Sequence, residues 1–257
     1  MNKFGVVVLA YNRPNYLYVT LDSLFRNKSI DKVDVGVYID GGSDNIHDVL
    51  NVVNGFGVNH IHVNDTNLMV LNSLMSALGD LFYNRKYDKV LYIEDDHILR
   101  TDTIEYCLST NIEEFVLCLS GNGGKARDYR PKGNVITKDN FDILNDWIGK
   151  RMYVGTARPN HPDQILAEDT KIHDAVFYSF IVQHQLLSQF APEFYVATFG
   201  VRGVHSRKVN IVDHIIERFF SGDRDTWVDN VVEVIMEQKF DNNLNPDLWP
   251  GERFEYQ

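Results

Sequence analysis

Three consecutive carboxylates, Glu94, Asp95 and Asp96, follow directly on the apolar run Val90-Leu91-Tyr92-Ile93. Side by side they repel one another, and a cation relieves the repulsion. Oxygen ligands of this kind suit Mn²⁺ or Mg²⁺, which keep several waters and bind through one or two carboxylates plus the phosphates of a substrate. The chemistry implied is a metal–diphosphate site. A plainer reading makes the triplet an acidic turn in which Asp96 or Thr101 caps the next helix.

Other residues able to do chemistry also stand where apolar runs end. Arg13 lies in Tyr11-Asn12-Arg13-Pro14, directly after Phe4–Ala10. It is a fixed cation suited to a nucleotide, or the partner of a surface carboxylate. Asp40-Gly41-Gly42 follows Val33–Ile39, so Asp40 can accept hydrogen bonds from a base or ribose beside a tight backbone approach, although a simple Asx turn has the same sequence. Asn64–Asn67 is a polar turn after the short run Asn59–Val63. Glu168 and Asp169 precede an apolar helical stripe of Ile172, Val176, Phe177, Phe180 and Ile181; one of them is a candidate general base, or both complement a helix dipole. His205 lies with Arg202 and Arg207 in a glycine-bearing loop after Phe194–Thr198.

The elements that must position these groups alternate. Phe4–Ala10 and Val33–Ile39 read as buried parallel strands, and Asn15–Asn27, with Leu17, Leu21, Leu24 and Phe25, reads as a helix between them. Helical spacing returns over Leu68–Phe82 and Thr101–Thr110, and another buried strand is expected at Glu114–Ser120. The glycines at 121, 123 and 124 are followed by neither a helical pattern nor GK[ST], which excludes a P-loop. Lys125–Asn134, with Lys125, Arg127, Arg130 and Lys132, reads as a basic lid or a solvated loop. Asn145–Thr156, with Trp147, Met152, Tyr153 and Gly155, has the mixture common where a small molecule packs on backbone. A helix is expected within Ile165–Gln185, and amphipathic helices at Ile211–Phe220 and Trp227–Phe240 before a polar tail.

At 257 residues, 44% hydrophobic and 24% charged, the chain suits one large α/β domain with a C-terminal appendage. Its net charge of −11 argues against broad nonspecific binding to nucleic acid or anionic membrane, while leaving room for a local basic groove. Cys107 and Cys118, both among apolar neighbours, predict free buried thiols in a reducing compartment. With no basic–apolar leader and no membrane-length apolar run, the expected location is the cytoplasm.

The first hundred residues resemble the GT-A glycosyltransferases, and in particular the inverting N-acetylglucosaminyltransferases of glycosyltransferase family thirteen, the type that extends O-mannose on proteins. The resemblance is carried by Asn12-Arg13-Pro14-Asn15-Tyr16-Leu17-Tyr18 with Leu21-Asp22-Ser23-Leu24, by Val37-Tyr38-Ile39-Asp40-Gly41, and by Ile93-Glu94-Asp95-Asp96, an EDD form of the DxD motif. Ala191-Pro192-Glu193-Phe194 and Val204-His205 extend it weakly. It implies a mostly parallel Rossmann-like sheet over residues 1–208, with a nucleotide-sugar half to about 110 and an acceptor half after it, and a helical extension over 209–257. It also implies that Arg13 and Asp40 contact a nucleoside, with Ala10, Tyr11, Gly41 and Asn67 completing the donor site. Asp96 would hold Mn²⁺ or Mg²⁺, supported by Glu94 and Asp95. Ala167-Glu168-Asp169 is similar to the xED motif of family-two inverting enzymes, making Asp169 the base, and His205 would be a further metal ligand or a structural histidine. The implied activity is inverting, metal-dependent transfer from a nucleotide sugar, with UDP favoured, to a hydroxyl on a glycan, a protein or a hydroxylated DNA base. A retaining transferase, a nucleotidyltransferase and an inactive nucleotide-sugar-binding module remain alternatives.

Overall fold

The computed structural model describes residues 3–198, apart from 122, 131, 150–151, 155–163 and 167–172. Its centre is an eight-stranded sheet of order β3-β2-β1-β4-β8-β6-β11-β7. The strands are β1 (Phe4–Ala10), β2 (Asp34–Ile39), β3 (His60–Val63), β4 (Lys89–Glu94), β6 (Val116–Cys118), β7 (Lys125–Ala126), β8 (Asn134–Thr137) and β11 (Ser188–Phe190). The pairs β3-β2-β1-β4 are all parallel. β8 runs antiparallel to both neighbours, so β4 and β6 point the same way across it. Two short pairs stand apart: β5 (His97–Leu99) with β12 (Val196–Thr198), antiparallel, and β9 (Met152–Val154) with β10 (Gln164–Leu166), parallel.

Every residue of β1 is buried, because helices cover both faces of the sheet. Val6 and Val8 enter one apolar layer with Leu17, Leu21 and Leu24 of α1 (Pro14–Phe25) and Val49 and Val53 of α2 (Ile46–Gly55). Val7 and Leu9 enter the other, with α3 (Met69–Gly79), α5 (Lys138–Gly149) and α6 (His173–Gln183). Helix α4 (Thr103–Ser109) places Ile104 and Cys107 in the first layer. Pro14 opens α1, where a missing N–H costs nothing. Both cysteines are free and buried, and burial pushes their thiols up, to about 12 for Cys107 and about 11 for Cys118. No helix among the described residues is long and apolar enough to cross a membrane.

Several expectations need correction. Lys125–Asn134 is not one loop: it contributes β7 at one end and the first residue of β8, a buried central strand, at the other. Trp147 is a core residue of α5, with its Nε1 donating to Gln183 Oε1 at 2.9 Å and its ring against Phe180, so it is committed to packing rather than to a ligand. Of the helix expected within 165–185, the described part is His173–Gln183, and Gln164–Leu166 is strand. Neither Asp96 nor Thr101 caps α4, which begins after Asp102 without a side-chain cap. The extension proposed for 209–257 lies outside the described residues.

After α3 the helix widens into a π turn over Asp80–Asn84, and the Asp80 carboxylate organises it. It accepts hydrogen bonds from Tyr38 Oη (2.5 Å), Asn84 Nδ2 (2.8 Å) and Arg85 Nε (2.7 Å). Partial burial acts to raise its pKa, but these donors outweigh it and hold the carboxyl down at about 2. Because the folded value lies below the unfolded one, the stabilisation is present above the ordinary value of 3.8 and is lost as pH falls through about 2. Asp80→Asn is expected to cost roughly 1–2 kcal/mol at neutral pH and to flatten the stability profile over that acid range. Urea unfolding of parent and variant across pH checks both.

Candidate active site

β4 ends at Glu94, the chain turns through Asp95 and Asp96, and His97 begins β5. Four contacts fix this turn. Glu94 N–H donates to His97 Nδ1 at 3.1 Å. Thr20 Oγ1, from the buried face of α1, donates to the Asp95 carbonyl at 2.8 Å, and one turn further on Ser23 Oγ accepts from Leu99 N–H at 3.1 Å. The fourth comes from Arg13, just before α1: its Nη2 and Nε reach the Asp95 carboxylate, and its Nη1 lies 3.3 Å from Asp96 Oδ2. The guanidinium also lies over the Tyr16 ring, 5.0 Å from its centroid.

The turn is therefore asymmetric. Asp95 is buried and committed to Arg13 and to the Tyr11 backbone N–H. Asp96 meets Arg13 through one oxygen, while its Oδ1 accepts no hydrogen bond among the described residues and faces His97 Nε2 at 3.9 Å. Burial opposes the Arg13 charge, yet Asp95 and then Asp96 more than compensate and raise its pKa. Glu94 is pushed well above the usual carboxylate range, first by burial and then by the charges of Asp96 and Asp95, with Arg13 opposing. Arg13 is thus shared between two aspartates, while Glu94 is held toward its neutral form.

Two imidazoles flank Glu94. His97 is buried, and burial lowers its pKa to about 4. With Nδ1 accepting from the Glu94 N–H, its proton sits on Nε2, toward Asp96. His173, at the start of α6, has Nδ1 3.9 Å from Glu94 Oε1 and is lowered to about 3, by burial and then by His97. It stands edge-on to Tyr92 and Tyr129, whose hydroxyls are 2.5 Å apart, and Asn134 Nδ2 donates to Tyr129 Oη at 3.3 Å.

Two strands away, Asp40 directly follows β2. Its N–H donates to the Ala10 carbonyl at 2.9 Å, and its Oδ1 accepts from Asn64 Nδ2 at 2.9 Å. Since the Asn64 amide nitrogen faces Asp40, its Oδ1 accepts from His62 Nε2 at 3.0 Å. Asp40 is thus oriented by a neighbouring strand end and not by an Asx turn of its own. Gly41 is obligatory here, because a Cβ would come within 2.1 Å of the Asn64 carbonyl oxygen. Asn67 Oδ1 accepts from Met69 N–H at 2.8 Å, tying down the entry to α3.

The structure thus brings Ala10, Tyr11, Arg13, Asp40, Gly41, Glu94, Asp95 and Asp96 to the carboxyl ends of three adjacent strands, with Asn67 beside them at the start of α3. Glu168, Asp169 and His205 lie outside the described residues. Thr20, His97 and His173 were not anticipated as site residues; the one available signal was His97 directly following the acidic triplet.

A metal is the group the triplet implied. Among the described residues no three metal-ligating side chains gather. A cation taking one carboxylate from the protein and the rest from diphosphate and water nevertheless fits, because Asp96 Oδ1 accepts no hydrogen bond among the described residues and Arg13 is shared between Asp95 and Asp96.

A scan against known protein families finds no match. Among solved structures, residues 1–349 of S. aureus TarS in complex with UDP-GlcNAc align with TM-score 0.54 and 14% identity over 91% of this chain and 71% of that one. Mannosyltransferase PcManGT from Pyrobaculum calidifontis, in complex with GDP-Man and Mn²⁺, aligns with TM-score 0.53 and 11% identity over 91% of this chain and 68% of that one. The fold is GT-A. The longer TarS structure aligns with TM-score 0.50 and 13% identity over 93% of this chain, and the chain spans only 44% of its length. Within this GT-A sheet the acidic turn and Asp40 flank the carboxyl end of β1, on opposite sides of Ala10.

Removing Arg13 strands the carboxylates that it pairs. Arg13→Met is expected to cost about 3–5 kcal/mol in urea unfolding, and adding Asp95→Asn should recover part of that loss. Simple additivity of the two substitutions would contradict the coupling.

Proposed function

We propose that this chain is a metal-dependent glycosyltransferase that moves a sugar, with inversion, from a nucleotide sugar to a hydroxyl acceptor. The observation that carries the proposal is the pairing of two sites across β1: an oriented carboxylate at Asp40, and an acidic turn with one open carboxylate oxygen, Asp96 Oδ1. Such a pair matches the two ends of a nucleoside diphosphate, with hydrogen-bonding groups on the base and negative charge on the phosphates. That the aligned structures hold UDP-GlcNAc in one case and GDP-Man with Mn²⁺ in the other supports the same reading. UDP is favoured by the resemblance to family thirteen.

In this proposal Asp40 and Gly41, with Ala10, Tyr11 and Asn67, bind the nucleoside, while Asp95 holds Arg13 beside the diphosphate. Asp96 is the protein's ligand to Mn²⁺ or Mg²⁺, which when bound would offset the charge of the departing diphosphate. Glu94 lines the same turn. Asp169 takes the acceptor's proton, with Glu168 beside it. Chain connectivity supports that role: Asp169 is four residues before His173, whose ring lies 3.9 Å from Glu94. His205 is a candidate further ligand on the same basis, since it follows Thr198 by seven residues and Thr198 pairs with His97. Residues 1–208 would form the catalytic unit and 209–257 an extension.

For the acceptor, two of the four cations in the 125–132 segment are engaged within the chain. Lys125 pairs with Glu113 (3.0 Å) and Glu114 (2.8 Å), and Arg130 donates to the Ser120 carbonyl at 3.1 Å. This favours a hydroxyl on a glycan or protein over one on a DNA base.

Thermal shifts with UDP, GDP and their sugars, each with Mn²⁺, Mg²⁺ or EDTA, test the donor site. A metal-dependent rise is expected with a uridine nucleotide, about 2.7 kcal/mol at a hundred times its dissociation constant. Asp96→Asn should abolish the metal-dependent part. Asp169→Asn should keep the shift and lose about 10²–10⁴-fold in turnover. No shift with any nucleotide would overturn the proposal.

A further inference from the structure

His97 is buried in the acidic turn, and while its Nδ1 serves the backbone of that turn its Nε2 faces Asp96. Nδ1 accepts the Glu94 N–H at 3.1 Å, which leaves the ring proton on Nε2. Nε2 faces Asp96 Oδ1 at 3.9 Å, longer than a hydrogen bond but with no other described carboxylate oxygen paired to it. On the other side Arg13 Nη1 is 3.3 Å from Asp96 Oδ2. The ring is held in place by β5, where His97 pairs with Thr198 of β12.

We propose that His97 is a positioning residue for Asp96, closing the turn through Nδ1 and steering the metal-binding carboxylate with its Nε2–H. The inference rests on the donor-site reading above, in which Asp96 is the protein's ligand to the cation. A neutral donor suits this task better than a second guanidinium or an ammonium. It restricts the carboxylate's rotation without cancelling the charge that attracts a divalent ion, whereas another fixed cation would compete for the same oxygen. The two nitrogens separate the two tasks, one for the backbone of the turn and one for the ligand.

That separation makes the idea testable with two substitutions. Asn places an acceptor near the Nδ1 position and nothing at Nε2, while Gln places an amide donor near Nε2 and nothing at Nδ1. The probe is Mn²⁺ titrated into the full chain with UDP present, free Mn²⁺ being read by its paramagnetic resonance signal, beside the melting temperature of each protein without ligand. His97→Asn is expected to melt close to the parent while binding Mn²⁺ about 10–100-fold more weakly. His97→Gln is expected to melt lower while keeping Mn²⁺ affinity within a few-fold of the parent. Parent-like affinity in His97→Asn overturns the proposal, as does loss of affinity that merely follows melting temperature in both variants. If His97→Asn does not fold, His97→Gln decides alone, since weakened binding there also overturns it. Should the parent itself bind no Mn²⁺ with UDP or GDP, the donor-site reading fails, and the role of His97 falls with it.

Discussion

The Arg13 guanidinium, lodged between Asp95 and Asp96, is the interaction on which the strand ends depend. Three neighbouring carboxylates at a buried turn would drive one another apart or bind protons. A fixed cation held by the start of α1 relieves that repulsion at Asp95 and Asp96, while Glu94 is pushed toward its neutral form. The same helix supplies Thr20 to the Asp95 carbonyl and Ser23 to the Leu99 N–H, so β1, α1, β4 and β5 are locked around one charge pair. Buried pairs of this kind add little net stability against an apolar replacement, but losing one partner is costly, so their contribution is to a specified geometry.

Around that pair the polar groups fall into two kinds. Asp95, Thr20, Asn64 and His62 are spent on holding others, through bonds to Arg13, to the Asp95 carbonyl, to Asp40 and to Asn64. Asp96 Oδ1 accepts nothing among the described residues. A site reads as prepared when such open groups are flanked by groups with no freedom left. Burial of His97 and His173 as neutral rings adds to this, since neither brings a charge that would neutralise the turn.

Much of this was legible in the sequence, for a physical reason. β1, β2 and β4 are buried on both faces, so their runs are apolar without interruption, and polar residues mark their ends sharply. Arg13, Asp40 and the acidic triplet stood out on that account. What stayed hidden is short or buries few residues completely. α2 buries only Val49 and Val53, α5 keeps a narrow stripe of Phe141, Leu144 and Trp147 on a polar helix, and β8 is four residues long. The different fates of Asp95 and Asp96 could not be read from adjacent identical residues, because they depend on which one the helix-borne arginine meets. Nor does a histidine after a strand announce which of its nitrogens accepts a backbone N–H.

The antiparallel strand β8 has a consequence for how the chain acquires its shape. The first four parallel strands come from residues before 95, yet one edge of β4 is covered only by a strand from residues 134–137, inserted after the chain has gone out to β6. Until that return, the strand carrying the acidic turn presents an unpaired row of N–H and C=O groups beside the apolar side chains of Val90, Leu91 and Ile93, a template for another chain. The portions before and after the acidic turn are therefore not separable modules. An amino-terminal fragment would hold nearly all of the described site residues and still lack the strand that keeps it from self-association.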